Sequence, residues 1–221
     1  MPTVLITGAD RHNSIAAGVS ARLTSDGWTV CTSDLESGDY SCDLSSAQEA
    51  QELVGRVHKD HGTIDGLVLS HAHGEESGIL DTTAESFDRH MAVNARASQL
   101  LIAAFARQVG ESGGAIVAFT SDHTTGNLPY GASKGALDRI VISAARELGP
   151  KRISANVVNP GPIDTGWMDE ETRTGLVPYQ PLGRMGTPRD IAGVTAFLLS
   201  DEGRWISGQL FSADGGFSAR Y

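Results

Sequence analysis

The chain alternates short runs rich in apolar and β-branched residues with longer segments in which apolar residues recur every three or four positions. The short runs predict buried strands, which we place at residues 3–7, 28–33, 64–70, 115–119, 153–158 and 209–212. The periodic segments predict helices that begin near residue 14 and cover residues 47–61, 83–109, 130–148 and 188–199. This alternation is typical of an α/β fold. We expect a Rossmann-type doubly wound parallel sheet flanked by helices, as a single domain over residues 1–221.

Two parts of the chain interrupt the alternation. Only eight residues separate Asp34 from Asp43, which is too few for a crossover helix. We therefore expect a tight loop to reach the third strand, at a trimmed edge of the sheet. Residues 164–186 contain several Gly and Pro residues together with the apolar Trp167 and Met168, and they predict a substrate loop or lid.

Composition and charge narrow the classes of function. The 221 residues are 40% hydrophobic, and 17 basic against 27 acidic residues give a formal charge of −10. A strongly acidic chain repels phosphate backbones and anionic lipid surfaces, so we expect neither a nucleic-acid partner nor a membrane partner. Cys31 and Cys42 are too few for a disulfide framework, and no signal peptide or membrane span is visible. We therefore expect a cytoplasmic protein.

Residues with nucleotide-binding chemistry follow the first two strands. Gly8 turns the chain after the first strand, and Ser14 and Ile15 open a helix whose N-terminus can present backbone N–H groups to a pyrophosphate. Asp34 ends the second strand, where a carboxylate accepts hydrogen bonds from an adenosine ribose and repels a 2′-phosphate. Arg11 would attract that phosphate. The sequence therefore favours NAD as cofactor and leaves NADP as the alternative.

Acid–base chemistry is indicated by Tyr130 and Lys134, which stand four residues apart at the start of a predicted helix and so share one face. An ammonium beside a phenol favours the ionised phenol. We therefore expect Lys134 to lower the pKa of Tyr130, so that Tyr130 can exchange a proton with a substrate oxygen. Ser121 lies at the carboxyl end of the strand over residues 115–119, where ligands of such a sheet bind.

Several separate segments carry a family resemblance. They are Tyr130-Gly131-Ala132-Ser133-Lys134-Gly135-Ala136-Leu137, Asn159-Pro160-Gly161-Pro162-Ile163-Asp164-Thr165, Val93-Asn94, Arg184-Met185-Gly186-Thr187-Pro188 and Asp214-Gly215-Gly216. On these segments the chain resembles the short-chain dehydrogenase/reductase family over nearly its whole length. The resemblance implies an NAD(P)-dependent oxidoreductase that transfers a hydride between a nicotinamide ring and a small-molecule carbonyl or secondary-alcohol substrate. It also implies a homodimer or homotetramer that assembles through the helices at 83–109 and 130–148.

The resemblance implies roles for individual residues. Tyr130 would exchange a proton with the substrate oxygen and Ser121 would hydrogen-bond it. Lys134 would also hold the nicotinamide ribose, and Asn94 would support a water that links Lys134 to solvent. The cofactor-binding residues suggested by the motifs and the resemblance are Gly8, Arg11, Ser14, Ile15, Asp34, Asp43, Leu44, Ser70, His71, Tyr130, Lys134, Pro160, Gly161, Ile163 and Thr165.

The chain departs from the family pattern at three places. The glycine loop over residues 7–16 keeps only Gly8 and resembles the loop of the enoyl-acyl-carrier-protein reductase branch, although that branch spaces its tyrosine and lysine more widely. The segment at 70–74, Ser-His-Ala-His-Gly, replaces the family's Asn-Asn-Ala-Gly. The connection from Ser121 to Tyr130 is shorter than usual.

These departures leave alternatives to the oxidoreductase open. One is a nucleotide-binding sensor or scaffold that keeps the fold without turnover. The enoyl reductase branch and the halohydrin dehalogenases are less favoured, and the latter use arginine where this chain has Lys134. His71 and His73 are too few for a metal site, so we expect no metal.

Overall fold

The computed structural model describes residues 1–9, 11–123, 125–166 and 168–219. Within these ranges one sheet contains seven strands, all parallel, in the order β3-β2-β1-β4-β5-β6-β7. The strands are β1 (Thr3–Thr7), β2 (Thr29–Asp34), β3 (Tyr40–Ser41), β4 (Gly66–Leu69), β5 (Gly114–Phe119), β6 (Ile153–Asn159) and β7 (Leu210–Ser212). The strand order reverses direction between β1 and β4, which is the doubly wound arrangement that the sequence predicts. The predicted fold class is confirmed.

Helices cover both faces of the sheet. They are α1 (Ile15–Ser25), α2 (Ala47–His61), α3 (Ala84–His90), a π-helical turn (Met91–Arg96), α4 (Ala97–Gln108), α5 (Leu128–Glu147), α6 (Glu170–Leu176) and α7 (Pro188–Leu199). Short 3₁₀ turns lie at Gly149–Lys151, Val177–Tyr179 and Asp201–Gly203. Helices α2, α4 and α5 pack on one face, and α1 and α7 pack against each other on the opposite face. No helix of the described ranges is long and apolar enough to cross a bilayer.

The core forms two layers separated by the sheet, because successive side chains of a strand point to opposite faces. On β1, Leu5 belongs to the layer under α2, α4 and α5, whereas Val4 and Ile6 belong to the layer under α1 and α7. All residues of β1, β4, β5 and β6 are buried. Helices on both sides of a parallel sheet explain why β1, β4 and β5 are mostly apolar, while β6 also buries Ser154 and Asn156.

The edge beyond β2 has no crossover helix, as the sequence predicts. The loop to β3 turns at Gly38, which has a φ of +81°, and Asp39 accepts hydrogen bonds from the Thr32 N–H at 2.8 Å and the Thr32 hydroxyl at 2.9 Å. These bonds hold a five-residue link that keeps β3 parallel to β2. Strand β3 is only two residues long, so the edge is trimmed.

The helix predicted over residues 83–109 is observed as three consecutive segments, because a π-helical turn separates α3 from α4. Asn94, within this turn, is fully buried. The predicted lid at 164–186 contains α6 and one 3₁₀ turn. Trp167, which the sequence suggests as an apolar lid residue, lies outside the described residues.

Candidate active site

A cavity of about 260 Å³ opens at the carboxyl ends of β1, β2 and β4. Seven of the predicted cofactor-binding residues line it, namely Gly8, Arg11, Asp34, Asp43, Leu44, Ser70 and His71. The remaining lining residues are Leu35, Cys42, Ser45, Ala72, His73, Arg89 and Val93. The cavity therefore lies where a doubly wound sheet binds its ligands.

Gly8 lines the cavity at a turn that leaves no room for a side chain. Its φ is +77°, and a Cβ atom at this position would lie 2.6 Å from the main-chain N and Cα of His71. Only glycine therefore fits between the turn after β1 and the segment after β4. The Gly8 N–H donates to the Ser33 carbonyl at 2.8 Å, which fixes the turn against β2. Close backbone approach at this turn is what a dinucleotide site requires, so these residues fit such a cofactor.

Ser14 and Ile15 begin α1 but do not line the cavity. The Ser14 hydroxyl accepts a hydrogen bond from the Ala17 N–H at 3.1 Å and thus caps the helix. Ile15 packs against the core layer under α1 and α7. Both side chains therefore have structural roles at the start of α1.

Two carboxylates stand at the rim of the cavity. Asp34 ends β2, and its Oδ1 accepts a hydrogen bond from the Leu35 N–H at 2.6 Å. Asp43 accepts from the Ser45 N–H at 2.8 Å, and the hydrogen bonds from Ser45 lower the pKa of Asp43. An ionised carboxylate at such a strand end is suited to accept hydrogen bonds from ribose hydroxyls.

Pro160, Gly161, Ile163 and Thr165 follow β6 and lie outside the cavity lining. Gly161 has a φ of +62°, and a Cβ atom there would lie 2.5 Å from Cβ of Asp214. Ile163 is 6% exposed and bridges to Gly186 at the end of the lid segment. The segment after β6 is therefore fixed between the C-terminal residues and the base of the lid.

Lys134 and Tyr130 lie in the first turns of α5. Lys134 is 2% exposed; its Nζ donates to the Phe119 carbonyl at 2.9 Å and lies 5.6 Å from the centre of the Tyr130 ring. Burial lowers the pKa of Lys134 to about 8, and Asp138 opposes this shift. Burial raises the pKa of Tyr130. The expected lowering of the Tyr130 pKa is therefore wrong, because the ammonium is directed at a backbone carbonyl and desolvation of the phenol prevails.

Ser121 and Asn94 complete the predicted catalytic set. Ser121 is half-buried beyond the end of β5, and its hydroxyl accepts from the His123 N–H at 3.1 Å. The Asn94 amide accepts from the His73 N–H at 2.7 Å, and its nitrogen donates to the His73 carbonyl at 2.9 Å and to Ser133 Oγ at 2.8 Å. The Asn94 side chain therefore binds the loop after β4 to helix α5.

The sequence did not indicate seven of the lining residues as cofactor-binding residues; among them are Arg89 and His73, the latter weighed only as a metal ligand. Their local signal is weak: Arg89 is one of several charged residues on α3, and His73 lies in a segment that departs from the family pattern. His73 lies 4.5 Å from the ring of His90, and its Nε2 is 3.6 Å from Glu75 Oε1. Burial lowers the pKa of His73. Within the described residues, no group of three or more His, Cys, Asp or Glu side chains is arranged to hold a metal ion.

The doubly wound parallel sheet and the cavity at its carboxyl edge define a Rossmann-type α/β protein. A family model described as enoyl-(acyl carrier protein) reductase matches residues 8–218. This match and the relatives described below show that the chain belongs to the short-chain dehydrogenase/reductase family.

Three relatives match between 81% and 97% of this chain. The uncharacterised oxidoreductase YjdA of Bacillus subtilis (strain 168) is 36% identical, over 96% of this chain and 95% of that protein. The human dehydrogenase/reductase SDR family member 4 is 32% identical over 81% of this chain and 68% of that protein. The 3-oxoacyl-[acyl-carrier-protein] reductase MabA of Mycobacterium tuberculosis (strain ATCC 25618 / H37Rv) is 28% identical over 97% of this chain and 92% of that protein.

A solved structure is also similar over nearly the whole chain. It is a blue fluorescent protein from a metagenomic library in complex with NADPH. The TM-score is 0.89 at 28% sequence identity, and the match covers 99% of this chain and 98% of that chain. Together the comparisons identify an oxidoreductase family with NAD(P)-dependent members.

Proposed function

We propose that this protein transfers a hydride between a nicotinamide cofactor and a carbonyl or secondary-alcohol substrate. The observation that carries the proposal is the placement of Tyr130 and Lys134 at the start of α5, on the carboxyl edge of the sheet, where the cavity of about 260 Å³ also lies. A proton-transfer group and a dinucleotide site on one edge are what carbonyl reduction requires.

The cofactor would lie along the carboxyl edge of the sheet. Asp34, Asp43 and Leu44 would hold its adenosine half in the cavity, and the turn at Gly8 would admit its pyrophosphate. The segment 160–165 would flank its nicotinamide half. When bound, the nicotinamide supplies or accepts the hydride.

The protein's own residues would move and orient the proton. Burial raises the pKa of Tyr130, so its phenol is protonated at neutral pH and can donate to the oxygen of a carbonyl substrate. Ser121 would hydrogen-bond the same oxygen. Lys134, which is charged below about pH 8, would hold the nicotinamide ribose. Asn94 would support these groups by binding the loop at His73 to α5.

The experiment that tests this function begins with binding. NADH and NADPH are titrated separately into the protein, and nicotinamide fluorescence sensitised by tryptophan reports complex formation. A panel of ketones and secondary alcohols is then assayed with wild type, Tyr130→Phe and the control Tyr40→Phe, whose hydroxyl donates to Asp60 on α2. We expect Tyr130→Phe to lose roughly 100- to 10,000-fold in kcat and the control to keep its rate. A Tyr130→Phe variant with the wild-type rate would refute the assigned role.

The same experiment separates the alternatives. Binding of NADH or NADPH without turnover on any substrate would favour the sensor or scaffold. The description of the matching family model favours including an α,β-unsaturated acyl thioester in the panel. Reduction of this thioester, with every ketone left untouched, would favour the enoyl reductase branch.

We propose NAD as the preferred cofactor. The Asp34 carboxylate lines the cavity and would repel a 2′-phosphate, whereas Arg11, which also lines it, would attract one. Because the related metagenomic protein binds NADPH, the preference needs a direct test. We expect Asp34→Asn to raise kcat/KM for NADPH relative to NADH by about tenfold, since one repulsive charge is removed. Asp26→Asn, at the end of α1, is the matched control and should leave the ratio unchanged.

A further inference from the structure

His71 lies where the segment after β4 meets the π-helical turn, and it is 7% exposed. Its Nε2 is 3.1 Å from the Val93 carbonyl oxygen and 3.2 Å from the Ser98 hydroxyl, and its Nδ1 is 2.7 Å from the Thr7 hydroxyl. A carbonyl oxygen only accepts, so Nε2 carries the proton and Nδ1 accepts from Thr7. Both ring nitrogens are thus used inside the protein, and neither is left to bind a cofactor or a metal.

The Val93 carbonyl belongs to a turn with irregular backbone pairing. In this turn the Ala97 N–H bonds to the Ala92 carbonyl, five residues back. A change from the α to the π register leaves carbonyls of the turn without their usual partners. His71 supplies a donor to Val93, and the Ser98 hydroxyl donates to the Asn94 carbonyl at 2.9 Å. Two consecutive carbonyls of the turn are therefore satisfied by side chains.

The π-helical turn also fixes the position of Asn94, the residue after Val93. Asn94 is fully buried, and its amide binds both the N–H and the carbonyl of His73. It also donates to Ser133 Oγ, which donates to the Tyr130 carbonyl at 2.7 Å. A continuous set of hydrogen bonds therefore runs from the His71 ring through the turn to the helix of Tyr130.

We propose that His71 is a positioning residue: through the Val93 carbonyl it holds the π-helical turn in the register that places Asn94 between the loop after β4 and the Tyr130 helix. The proposal rests on the proposed function of that site. The ring is suited to the role because it stays neutral. Burial, together with the charge of Lys134, lowers the pKa of His71 to about 3, so one tautomer persists at neutral pH.

Three substitutions separate the contacts of Nδ1, with Thr7, from those of Nε2, with Val93 and Ser98. His71→Gln places an amide nitrogen near the position of Nε2 and can donate to Val93. His71→Asn reaches only the position of Nδ1 and the Thr7 hydroxyl. His71→Phe fills similar volume with neither bond. His61→Gln, on the exposed end of α2, is the control for the change from histidine to glutamine.

Each variant is examined in two experiments. The first measures amide hydrogen exchange over Met91–Arg96, and the second measures kcat and the dissociation constant of NADH. We expect His71→Phe and His71→Asn to raise exchange in the turn at least about tenfold and to lower kcat roughly 10- to 100-fold, since misplacement of a supporting group slows the reaction. The dissociation constant should change less than about threefold. His71→Gln and His61→Gln should resemble wild type in both measurements.

Other results would overturn the proposal. Unchanged exchange in His71→Phe would show that the ring does not hold the turn. Rescue by His71→Asn and not by His71→Gln would place the essential bond at Thr7. A weaker NADH complex with unchanged kcat would make His71 a cofactor ligand. The exchange measurement needs neither cofactor nor substrate, so it decides the role of His71 in the turn even if the proposed hydride transfer fails.

Discussion

At the scale of the single residue, the surroundings of His71 keep its imidazole neutral. Its pKa falls from the ordinary histidine value of 6.5 to about 3 because the ring is desolvated and Lys134 lies nearby, with the bond to Val93 acting in the opposite direction. Between pH 3 and pH 6.5 the unfolded chain therefore binds more protons at His71 than the folded chain does. Stability that is present above pH 6.5 is therefore lost as the pH falls towards 3.

We predict that His71 contributes to acid sensitivity. When the pH falls from 7 to 5, the free energy of unfolding of the wild type should decrease by about 2 kcal/mol because of His71. The His71→Gln variant has no titrating ring, so it should not show this decrease. Urea unfolding of both proteins at the two pH values gives the comparison. An equal loss in wild type and His71→Gln would contradict a buried neutral ring.

Lys134 should set the basic limit of activity. Its pKa is lowered to about 8 by burial, so the ammonium is lost as the pH rises above that value. We predict that kcat/KM for ketone reduction declines above pH 8, and that Lys134→Arg moves this decline upwards because a guanidinium remains protonated. Lys151→Arg, on an exposed turn, is the control. A pH profile that is the same in wild type and Lys134→Arg would remove Lys134 as the titrating group.

At the scale of secondary-structure elements, the turn between β1 and α1 depends on the absence of a side chain. Gly8 and Gly27 both have positive φ, at +77° and +86°. A Cβ atom at Gly8 would lie 2.6 Å from the His71 backbone, whereas a Cβ atom at Gly27 would meet nothing within 4 Å. The two positions thus separate backbone strain from steric overlap.

We predict that Gly27→Ala loses about 1 kcal/mol of stability from strain alone and that Gly8→Ala loses about 2–4 kcal/mol. Gly8→Ala should also weaken NADH binding, because the shifted segment at His71 lines the same cavity. Thermal unfolding and a fluorescence titration check both effects. Equal stability losses in the two variants would show that the approach to His71 does not constrain the turn.

Element boundaries show where sequence reasoning succeeds and where it ends. The apolar runs predict β1, β4 and β5, because strands buried on both faces are mostly apolar. Strand β6 is equally buried although it alternates apolar residues with Ser154 and Asn156. The same reasoning predicts one helix over 83–109 and misses the π turn, because a one-residue change of register leaves apolar periodicity nearly unaltered. The Val93 carbonyl of that turn is bonded by the His71 ring, 22 positions away in the chain, and sequence spacing does not encode such a contact.

The same limit applies to the candidate site. Asp34, Gly8 and Tyr130 lie at the sheet edge expected for them because strand ends and helix starts are readable from the sequence. The direction of the Lys134 ammonium is not readable, since it depends on the Phe119 carbonyl of a neighbouring strand. The expected pKa of Tyr130 was wrong for this reason.

At the scale of the whole molecule, the assembly state remains a prediction. A groove between α4 and α5 is lined by residues of both helices, including Gln99, Ala103 and Ile140. We expect a homodimer or homotetramer that buries this groove, and therefore a molar mass by light scattering at least twice that of the chain. Ile140→Arg should lower that mass and Ile79→Arg, on an exposed loop, should not. A monomeric wild type would contradict the expectation.

The most direct test of the central claim follows the hydride itself. NADH carrying deuterium at the transferred position of the nicotinamide ring is incubated with wild type, Tyr130→Phe and a ketone that the wild type reduces. The product alcohol is then analysed by mass spectrometry. Hydride transfer assisted by Tyr130 predicts one deuterium on the carbinol carbon with the wild type, at a rate that falls at least about 100-fold with Tyr130→Phe. Alcohol without deuterium, or an equal rate in both proteins, would contradict the account.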